Sequence, residues 1–245
     1  ITSYLHYQIK ISYDDIQKIF ANLFSLNISP ATLLGFDNKI YSQGLSLYES
    51  LRKLLPYTSS INVDETSWKN DWLWVFTNKL LAYYHIDEHR SGDVVREHLG
   101  SDYKGILTSD FFSAYNSSIS AFAKQKCNAH LLQDIKELQE KYPDDSGLIS
   151  FCQQLKYLIQ NAIILYSQFP KLTPEEYNNL KNPLFLQLEQ LSQIPISHPK
   201  AETLRKRLIK HKDEIFTFLN HPEIEPTNNI AERALRNLVM FRKIT

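Results

Sequence analysis

The chain has 245 residues, 43% of them hydrophobic and 22% charged, and a formal net charge of +0 at pH 7. This length suits one large domain or two smaller ones, and the neutral charge excludes the strongly basic balance of many nucleic-acid binders. Two cysteines are too few for a disulfide framework, and no apolar run approaches the roughly 20 residues of a membrane span, so we expect a reducing, cytoplasmic setting without a membrane partner.

Residues 1–58 are predicted to form a helical segment with a helix–turn–helix outline. Apolar residues at helical spacing after Ser12 predict a first helix, and Ser29 followed by Pro30 is typical of the start of a second. Residues 41–55 are expected to form a third helix. Such a segment either packs on the core or contacts DNA, and both alternatives stay open because tight helical pairs are common without nucleic acid.

Residues 59–130 are predicted to form the first part of a mixed α/β core. Short aromatic and β-branched runs, separated by turn residues, predict strands, and helical patterns lie between some of them. The expected strands cover residues 61–66, 72–77, 81–86, 105–109 and 121–126, with helices at 91–99 and 111–117. This alternation of strands and helices indicates a mixed α/β sheet.

Residues 131–222 are predicted to be helical almost throughout. Apolar residues recur with the 3.6-residue period between Leu148 and Tyr166, and Thr173 to Glu176 has the sequence of a capping box. This block is interpreted as an insertion in the α/β unit. Residues 223–245 then complete the core with a last helix.

Asp64 lies within a predicted strand, where aspartate is disfavoured and therefore needs a reason. Strand periodicity places Asn62, Asp64 and Thr66 on one face of the sheet and Glu65 on the other. Asp64 is either a catalytic carboxylate or a turn residue at the strand end. Glu65 is expected to face away from it.

Asp110 and Glu232 are the other two candidate carboxylates. Asp110 follows a strand, at the end where ligands bind in open α/β sheets, although aspartate also caps helices well. Glu232 falls in the first turn of the last helix, where it either complements the helix dipole and pairs with Arg236 or points toward the two aspartates. Two aspartates and a glutamate are carboxylates of the kind that hold hard divalent cations.

Arginines suited to phosphate contacts occur in two places. Arg233 and Arg236 follow Glu232 in the last helix, and Arg205 and Arg207 belong to an earlier basic stretch. Each pair either contacts DNA or lies on a solvated helix face.

Cys127 and His130 have the Cys-x-x-His spacing of metal ligands. Two soft ligands do not complete a zinc site, which needs four positions, and no other histidine lies at a convincing spacing. We therefore expect His130 to organise hydrogen bonds at the site rather than to bind zinc.

Taken together, these motifs resemble those of the insertion-sequence DDE transposases of the IS-sixty-six family. The matching segments are Val63-Asp64-Glu65-Thr66, Thr108-Ser109-Asp110-Phe111 with Ala114-Tyr115, Cys127-Asn128-Ala129-His130-Leu131, and Thr227-Asn228-Asn229-Ile230-Ala231-Glu232-Arg233-Ala234-Leu235-Arg236. The last segment is the most specific, and the resemblance extends over nearly the whole chain. The cysteine-rich N-terminal segment and the glycine-containing tail of that family are missing, which either truncation or decay of the gene explains. The chain begins with Ile1 rather than Met and stops just after a predicted helix, so we expect it to be a piece of a longer protein.

The resemblance implies a ribonuclease-H-like mixed sheet, with a helical insertion before the last catalytic helix and a helical N-terminal segment. It implies that Asp64, Asp110 and Glu232 are a catalytic triad that holds two Mg²⁺ ions, for which Mn²⁺ can substitute. Such a metal pair activates an attacking oxygen and stabilises a leaving oxygen. Supporting roles are implied for Cys127, His130 and Asn229.

The implied activity is metal-dependent strand cleavage and strand transfer of an insertion-sequence element. The expected partners are DNA, as transposon ends and as target, and further copies of the chain assembled on that DNA at the bacterial nucleoid. One alternative is a catalytically inactive, DNA-binding remnant with the same fold. A second is a metal-free hydrolase with paired carboxylates, as in glycosidases, which gives no role to the arginines beside Glu232.

Overall fold

The computed structural model describes residues 1–117 and 119–242 of the chain. Within these ranges one mixed sheet has five strands, which are β1 (Ser60–Trp68), β2 (Asp71–Thr77), β3 (Ala82–Asp87), β4 (Asp102–Ser109) and β5 (Ser120–Lys126). Their order across the sheet is β3-β2-β1-β4-β5. Strands β1, β2 and β3 are antiparallel neighbours, whereas β4 runs parallel to β1 and β5 runs parallel to β4. The prediction of a mixed α/β sheet is confirmed.

Helices flank this sheet on both faces. Over the described residues they are α1 (Tyr13–Phe24), α2 (Pro30–Leu54), α3 (Gly92–Leu99), α4 (Ala114–Ser117), α5 (Asn128–Lys141), α6 (Ser146–Gln168), α7 (Pro174–Gln193), α8 (Pro199–Ile215), α9 (Thr217–Asn220) and α10 (Asn229–Phe241). Short helical turns cover Tyr4–Gln8, Leu55–Tyr57 and Phe169–Lys171. None of the helices in the described part of the chain is long and apolar enough to cross a lipid bilayer.

The N-terminal helices confirm part of the sequence prediction and correct the rest. Ser12 caps α1, since its hydroxyl oxygen accepts the backbone N–H of Asp15 at 3.1 Å. The prediction of a separate third helix from residue 41 is wrong, because α2 is continuous over 25 residues. Asp37 does not interrupt it, because its carboxylate accepts hydrogen bonds from the hydroxyls of Ser3 and Tyr13 instead of competing for the helix backbone.

Strand β4 starts three residues before the predicted start at Gly105, and its pairing with β5 is irregular between Tyr103 and Ile106. A Cβ atom on Gly105 would collide with the carbonyl oxygen of Thr58. Glycine is therefore needed where β4 passes close to the segment that leads into β1. The backbone N–H of Ile106 donates to the Ser59 carbonyl there at 2.9 Å.

The two faces of the sheet are covered by different helices. One face buries Ile61, Val63 and Trp74 in a cluster with residues of α3, and the other buries Leu73 and Val75 against α10. Burial alternates along β1, as the two-residue period of a strand requires. Asp64 pairs with Val75 across the strands, so it lies on the face that α10 covers.

Helices α5 to α9 enclose a cluster of their own, as the sequence predicts for residues 131–222. The apolar positions of α6 are buried at the predicted period, and Ile106 of β4 joins them. The capping box at the start of α7 is present, with Thr173 and Glu176 bonded reciprocally. Helices α8 and α9 contact β5, so the block packs beside the sheet rather than extending it.

Candidate active site

Asp64 and Asp110 are neighbours because of the register of two parallel strands. Strands β1 and β4 pair with Asn62 beside Thr108. Asp64 follows Asn62 by two residues and Asp110 follows Thr108 by two residues, just after the end of β4. The negative charge of Asp110 is among the causes that raise the pKa of Asp64, so the two carboxyl groups act on each other at this edge of the sheet.

Asn228 joins the start of α10 to β1 and is fully buried. Its Nδ2 donates to the carbonyl oxygen of Val63 at 2.9 Å, and its Oδ1 accepts a hydrogen bond from Asn62 Nδ2 at 2.9 Å. Its backbone N–H donates to Cys127 Sγ at 3.1 Å, and its carbonyl oxygen accepts the backbone N–H of Glu232 at 3.2 Å. The side chain of Asn228 therefore fixes the first turn of α10 over the sheet.

Asn228 was not among the sequence-predicted site residues, and the supporting role that the resemblance implies for its neighbour Asn229 stays a prediction. Asn229 is the first residue of α10 and is partly exposed. Two adjacent asparagines are equivalent in a sequence motif, because either can precede a helix. The contact that separates them joins positions 62 and 228, which no local pattern reveals.

The far end of α10 is also tied to β1. The guanidinium of Arg242 donates to the backbone carbonyl and, at 2.9 Å, to the hydroxyl of Ser67. Between the two ends, the hydroxyl of Tyr84 donates to the carbonyl oxygen of Ala234 at 3.3 Å. Helix α10 is thus held at three points along the face that carries the aspartates.

Glu232 lies beside His130, with 3.7 Å between Oε1 and Nδ1. Cys127 adds a third possible ligand, and the sulfur, imidazole nitrogen and carboxylate oxygen of these residues lie within 4.8 Å of one another. Asp64 and Asp110 are outside this tight group. Among the described residues, Glu232 does not form the ion pair with Arg236 that the sequence had left open.

His130 favours its protonated form in this position. A hydrogen bond with Cys127 is the main cause that raises the pKa of His130 to about 9, burial opposes it, and the negative charges of Glu232 and Asp110 add to the increase. An organising role for His130, as the sequence analysis expected, is consistent with these contacts.

Asp64 is a carboxylate among other carboxylates. Burial is the main cause that raises the pKa of Asp64 to about 7, and the charges of Glu65, Asp110 and Glu232 raise it further. The backbone N–H of Glu65 donates to Asp64 Oδ1 at 3.0 Å and partly opposes the increase. Repulsion of this kind is relieved by a bound cation, and a set of carboxylate oxygens is the donor set that hard divalent cations prefer.

Glu65 faces away from this group, as predicted, and is neutralised by its own partners. Its Oε1 accepts a hydrogen bond from Arg90 Nε at 2.9 Å, and its Oε2 accepts one from the hydroxyl of Tyr115. Its side chain is 1% exposed. Burial raises the pKa of Glu65, and the bonds from Tyr115 and Arg90 lower it.

Lys126 is a fully buried lysine beside Asp110 that the sequence analysis did not select. Its Nζ donates to the backbone carbonyl of Asp110 at 2.9 Å and to the hydroxyl of Ser109 at 3.2 Å. Burial lowers the pKa of Lys126 to about 8, although the charges of Glu214 and Asp110 oppose the decrease. Asp110 is further held because its Oδ1 accepts the backbone N–H of Phe112 at 2.8 Å. The prediction that a helix starts at residue 111 is wrong, because α4 starts only at Ala114.

The four candidate DNA-binding arginines have different surroundings. Arg233 and Arg236 are exposed on α10. Arg205 is bonded to Glu202 and to the carbonyl oxygen of Ser192. Arg207 is paired with Asp134, and its guanidinium lies 5.1 Å over the ring of Phe111. Arg205 and Arg207 are thus engaged within the fold, whereas Arg233 and Arg236 present their charges to solvent.

Comparison with known proteins identifies one family. The model of the family described as "Transposase IS66 family" matches residues 2–245. Searches of curated proteins and of solved structures gave no significant match. This range includes all the sequence motifs that carry the resemblance to the family.

Proposed function

The chain belongs to the transposase IS66 family, whose members cut DNA, and we propose that it catalyses metal-dependent cleavage and strand transfer of an insertion-sequence element. The catalytic group is Asp64, Asp110 and Glu232. The observation that supports this assignment is that the charges of Asp110, after β4, and Glu232, on α10, both raise the pKa of Asp64 on β1, while no arginine or lysine among the described residues pairs with Asp64. Structural ion-pair networks also perturb pKa values, but in such a network the buried acid is paired with a cation, as Glu65 is with Arg90 and Asp64 is not among the described residues.

We propose a ribonuclease-H-like core, made of residues 59–130 and 223–245, with residues 131–222 inserted before the last catalytic helix. The strand order β3-β2-β1-β4-β5, with three antiparallel strands followed by two parallel ones, supports this fold. The helical character of the inserted block supports the boundaries.

Asp64, Asp110 and Glu232 would hold two Mg²⁺ ions, or Mn²⁺ in their place. When bound, such a pair activates an attacking oxygen and stabilises the leaving oxygen of a phosphodiester. The chain itself contributes the positions of the carboxylates. Asn228 fixes the turn of α10 that carries Glu232, and Lys126 fixes the backbone of Asp110.

Arg233 and Arg236 would contact the DNA backbone. Both are exposed on the helix that carries Glu232, within the first two turns of α10. Guanidinium groups bind phosphates by paired hydrogen bonds, so they would hold a strand close to the carboxylates. The partners proposed are therefore transposon-end DNA and target DNA, with further copies of the chain assembled on them.

The test is a cleavage and joining assay with DNA that carries the ends of the element encoding the chain. We expect nicking and strand transfer in Mg²⁺ or Mn²⁺ and none after chelation. DNA binding without cleavage in either metal would support the inactive remnant instead. Cleavage that is insensitive to the chelator would support a metal-free hydrolase and contradict the proposal.

A further inference from the structure

Cys127, His130 and Glu232 form a second group of possible ligands, distinct in chemistry from the all-oxygen group. Cys127 immediately precedes α5, His130 lies one turn into it, and Glu232 comes from α10. Their sulfur, nitrogen and oxygen atoms lie within 4.8 Å of one another. Only small side-chain movements are needed to bring these three atoms around one ion, since zinc binds them at roughly 2.0–2.3 Å.

The sulfur of Cys127 is held at the start of α5, where it accepts the backbone N–H of Asn228 at 3.1 Å. A metal ion binds the deprotonated forms of cysteine and histidine, so binding here releases the protons of Cys127 and His130. Cys127 is fully buried, whereas His130 and Glu232 remain 45% and 36% exposed, so an ion can reach the group from solvent.

We propose that Cys127, His130 and Glu232 bind one thiophilic transition-metal ion, with Zn²⁺ as the ion that fits best. One sulfur, one nitrogen and one oxygen ligand leave a fourth position for water, which is the pattern of open zinc sites. Mg²⁺ prefers oxygen ligands only and is a poor occupant of such a site. The sequence alone gives two of these ligands, and the docking of α10 supplies the third.

Glu232 belongs to both groups, and this shared carboxylate has a functional consequence. A Zn²⁺ ion held with Cys127 and His130 would withdraw Glu232 from Asp64 and Asp110. Zn²⁺ therefore inhibits the Mg²⁺-dependent cleavage, a consequence that rests on the proposed function. The binding site itself does not rest on it.

The binding test uses Co²⁺ as a spectroscopic probe on the full chain, because a thiolate bound to Co²⁺ produces a charge-transfer absorption band. We expect one equivalent of Co²⁺ to produce the band and Zn²⁺ to abolish it by displacement. Cys127→Ser should lose the band. His130→Gln, at a partly exposed position that tolerates substitution, should weaken binding by at least the roughly 10–100-fold that loss of an outer hydrogen-bond partner costs.

Cys152→Ala is the matched control, because Cys152 is a thiol as deeply buried as Cys127 but lies in the core of α6. Its pKa is raised to about 11 by burial, so it remains a thiol. This variant should keep the full band. A wild-type spectrum without the band, or a band that persists in Cys127→Ser or disappears in Cys152→Ala, would overturn the metal site.

The inhibition test measures cleavage in Mg²⁺ as Zn²⁺ is added, with each variant compared with its own zinc-free rate. We expect His130→Gln to need about tenfold more Zn²⁺ than the wild type for the same fractional inhibition. A wild type that cleaves, shows the cobalt band and ignores Zn²⁺ contradicts the shared role of Glu232. A wild type that shows the band and does not cleave in any metal contradicts the proposed function, while the metal site stands.

Discussion

Asp64 and Glu65 are consecutive residues of β1 whose carboxylates have opposite surroundings on the two faces of the sheet. Glu65 is enclosed and bonded to Arg90 and Tyr115. Among the described residues Asp64 pairs with no arginine or lysine, and burial and neighbouring carboxylates raise its pKa. Two consecutive acids of one strand therefore lie in different surroundings, because the two-residue strand period places them on opposite faces.

The partners of a buried carboxylate distinguish a structural acid from a candidate functional one. A buried carboxylate that serves the fold is satisfied by partners, since removing one partner leaves a costly unpaired group. A carboxylate among like charges destabilises the fold, and a bound cation relieves that repulsion. Substitutions on the two faces should therefore change different quantities.

Glu232→Gln should cause the largest effect. The change keeps size and hydrogen bonding but removes the charge on which a hard cation depends. We expect cleavage and joining to fall by about three orders of magnitude or more, because several kcal/mol of metal stabilisation are lost and each factor of ten is about 1.4 kcal/mol. DNA affinity, measured in parallel, should be kept or slightly increased.

Glu65→Gln is the matched control for this experiment, since it removes an equally close acid from the opposite face. Its rate of cleavage should stay within about threefold of the wild type, a free-energy change below 1 kcal/mol. If Glu65→Gln is inactive while Glu232→Gln cleaves normally, the metal site must be rebuilt around Glu65.

Asn228→Ala should have the next largest effect. The substitution leaves all three carboxylates in place but releases the turn that carries Glu232, and a misplacement of about 1 Å can cost roughly a hundredfold in rate. We expect a loss of about 10–100-fold in cleavage together with a higher Mn²⁺ requirement. Both are measured in a titration of cleavage rate against Mn²⁺.

Gln125→Ala distinguishes this positioning role from simple destabilisation. Gln125 is also a fully buried amide, and it bonds to the backbone of Ile215 and Phe218 in the helical block. Its loss should lower the melting temperature without changing the Mn²⁺ requirement. If Asn228→Ala and Gln125→Ala require the same Mn²⁺ concentration, Asn228 has no positioning role.

In metal-free buffer, Asp64→Asn and Glu65→Gln should shift the melting temperature in opposite directions. Because the folded-state pKa of Asp64 is raised to about 7, its ionised form costs stability above that pH, and the cost vanishes below its ordinary pKa of 3.8. Asp64→Asn should therefore raise the melting temperature at about pH 8 and leave it almost unchanged at about pH 4.

Glu65→Gln should lower the melting temperature at about pH 8, because Arg90 loses the carboxylate that it bonds. Each kcal/mol corresponds to about 2–4 °C for a chain of this size, so thermal melting resolves both signs. A lower melting temperature for Asp64→Asn at the higher pH would contradict the claim that its charge is uncompensated.

The double substitution Arg233→Ala and Arg236→Ala should have the smallest effect of the series. Loss of two phosphate contacts should reduce the slope of log affinity against log salt by about 1.8 for duplex DNA. Melting should be unchanged, since both side chains are exposed. The slope is obtained from the DNA affinity at several salt concentrations. An unchanged slope would show that neither arginine contacts DNA phosphates.

The sequence predicted those features that depend on neighbours along the chain. The caps at Ser12 and Thr173 follow from hydrogen bonds over three residues, and the buried face of α6 follows from the helical period. The opposite orientations of Asp64 and Glu65 follow from the strand period. The predicted break before residue 41 is absent, since α2 is continuous, and the Asp37 carboxylate within it accepts hydrogen bonds from the hydroxyls of Ser3 and Tyr13.

Periodicity and capping are local properties, so they predicted the mixed α/β class and the helical block, and motif spacing selected Asp64, Asp110 and Glu232 as candidate carboxylates. The folded structure was needed to show that Asn228 anchors α10, that Lys126 bonds the backbone of Asp110 and that Cys127 and His130 lie beside Glu232. These choices depend on strand register and on how α10 docks across the sheet. Contacts between residues more than 100 positions apart leave no period in the sequence, so they appear only when the chain is folded.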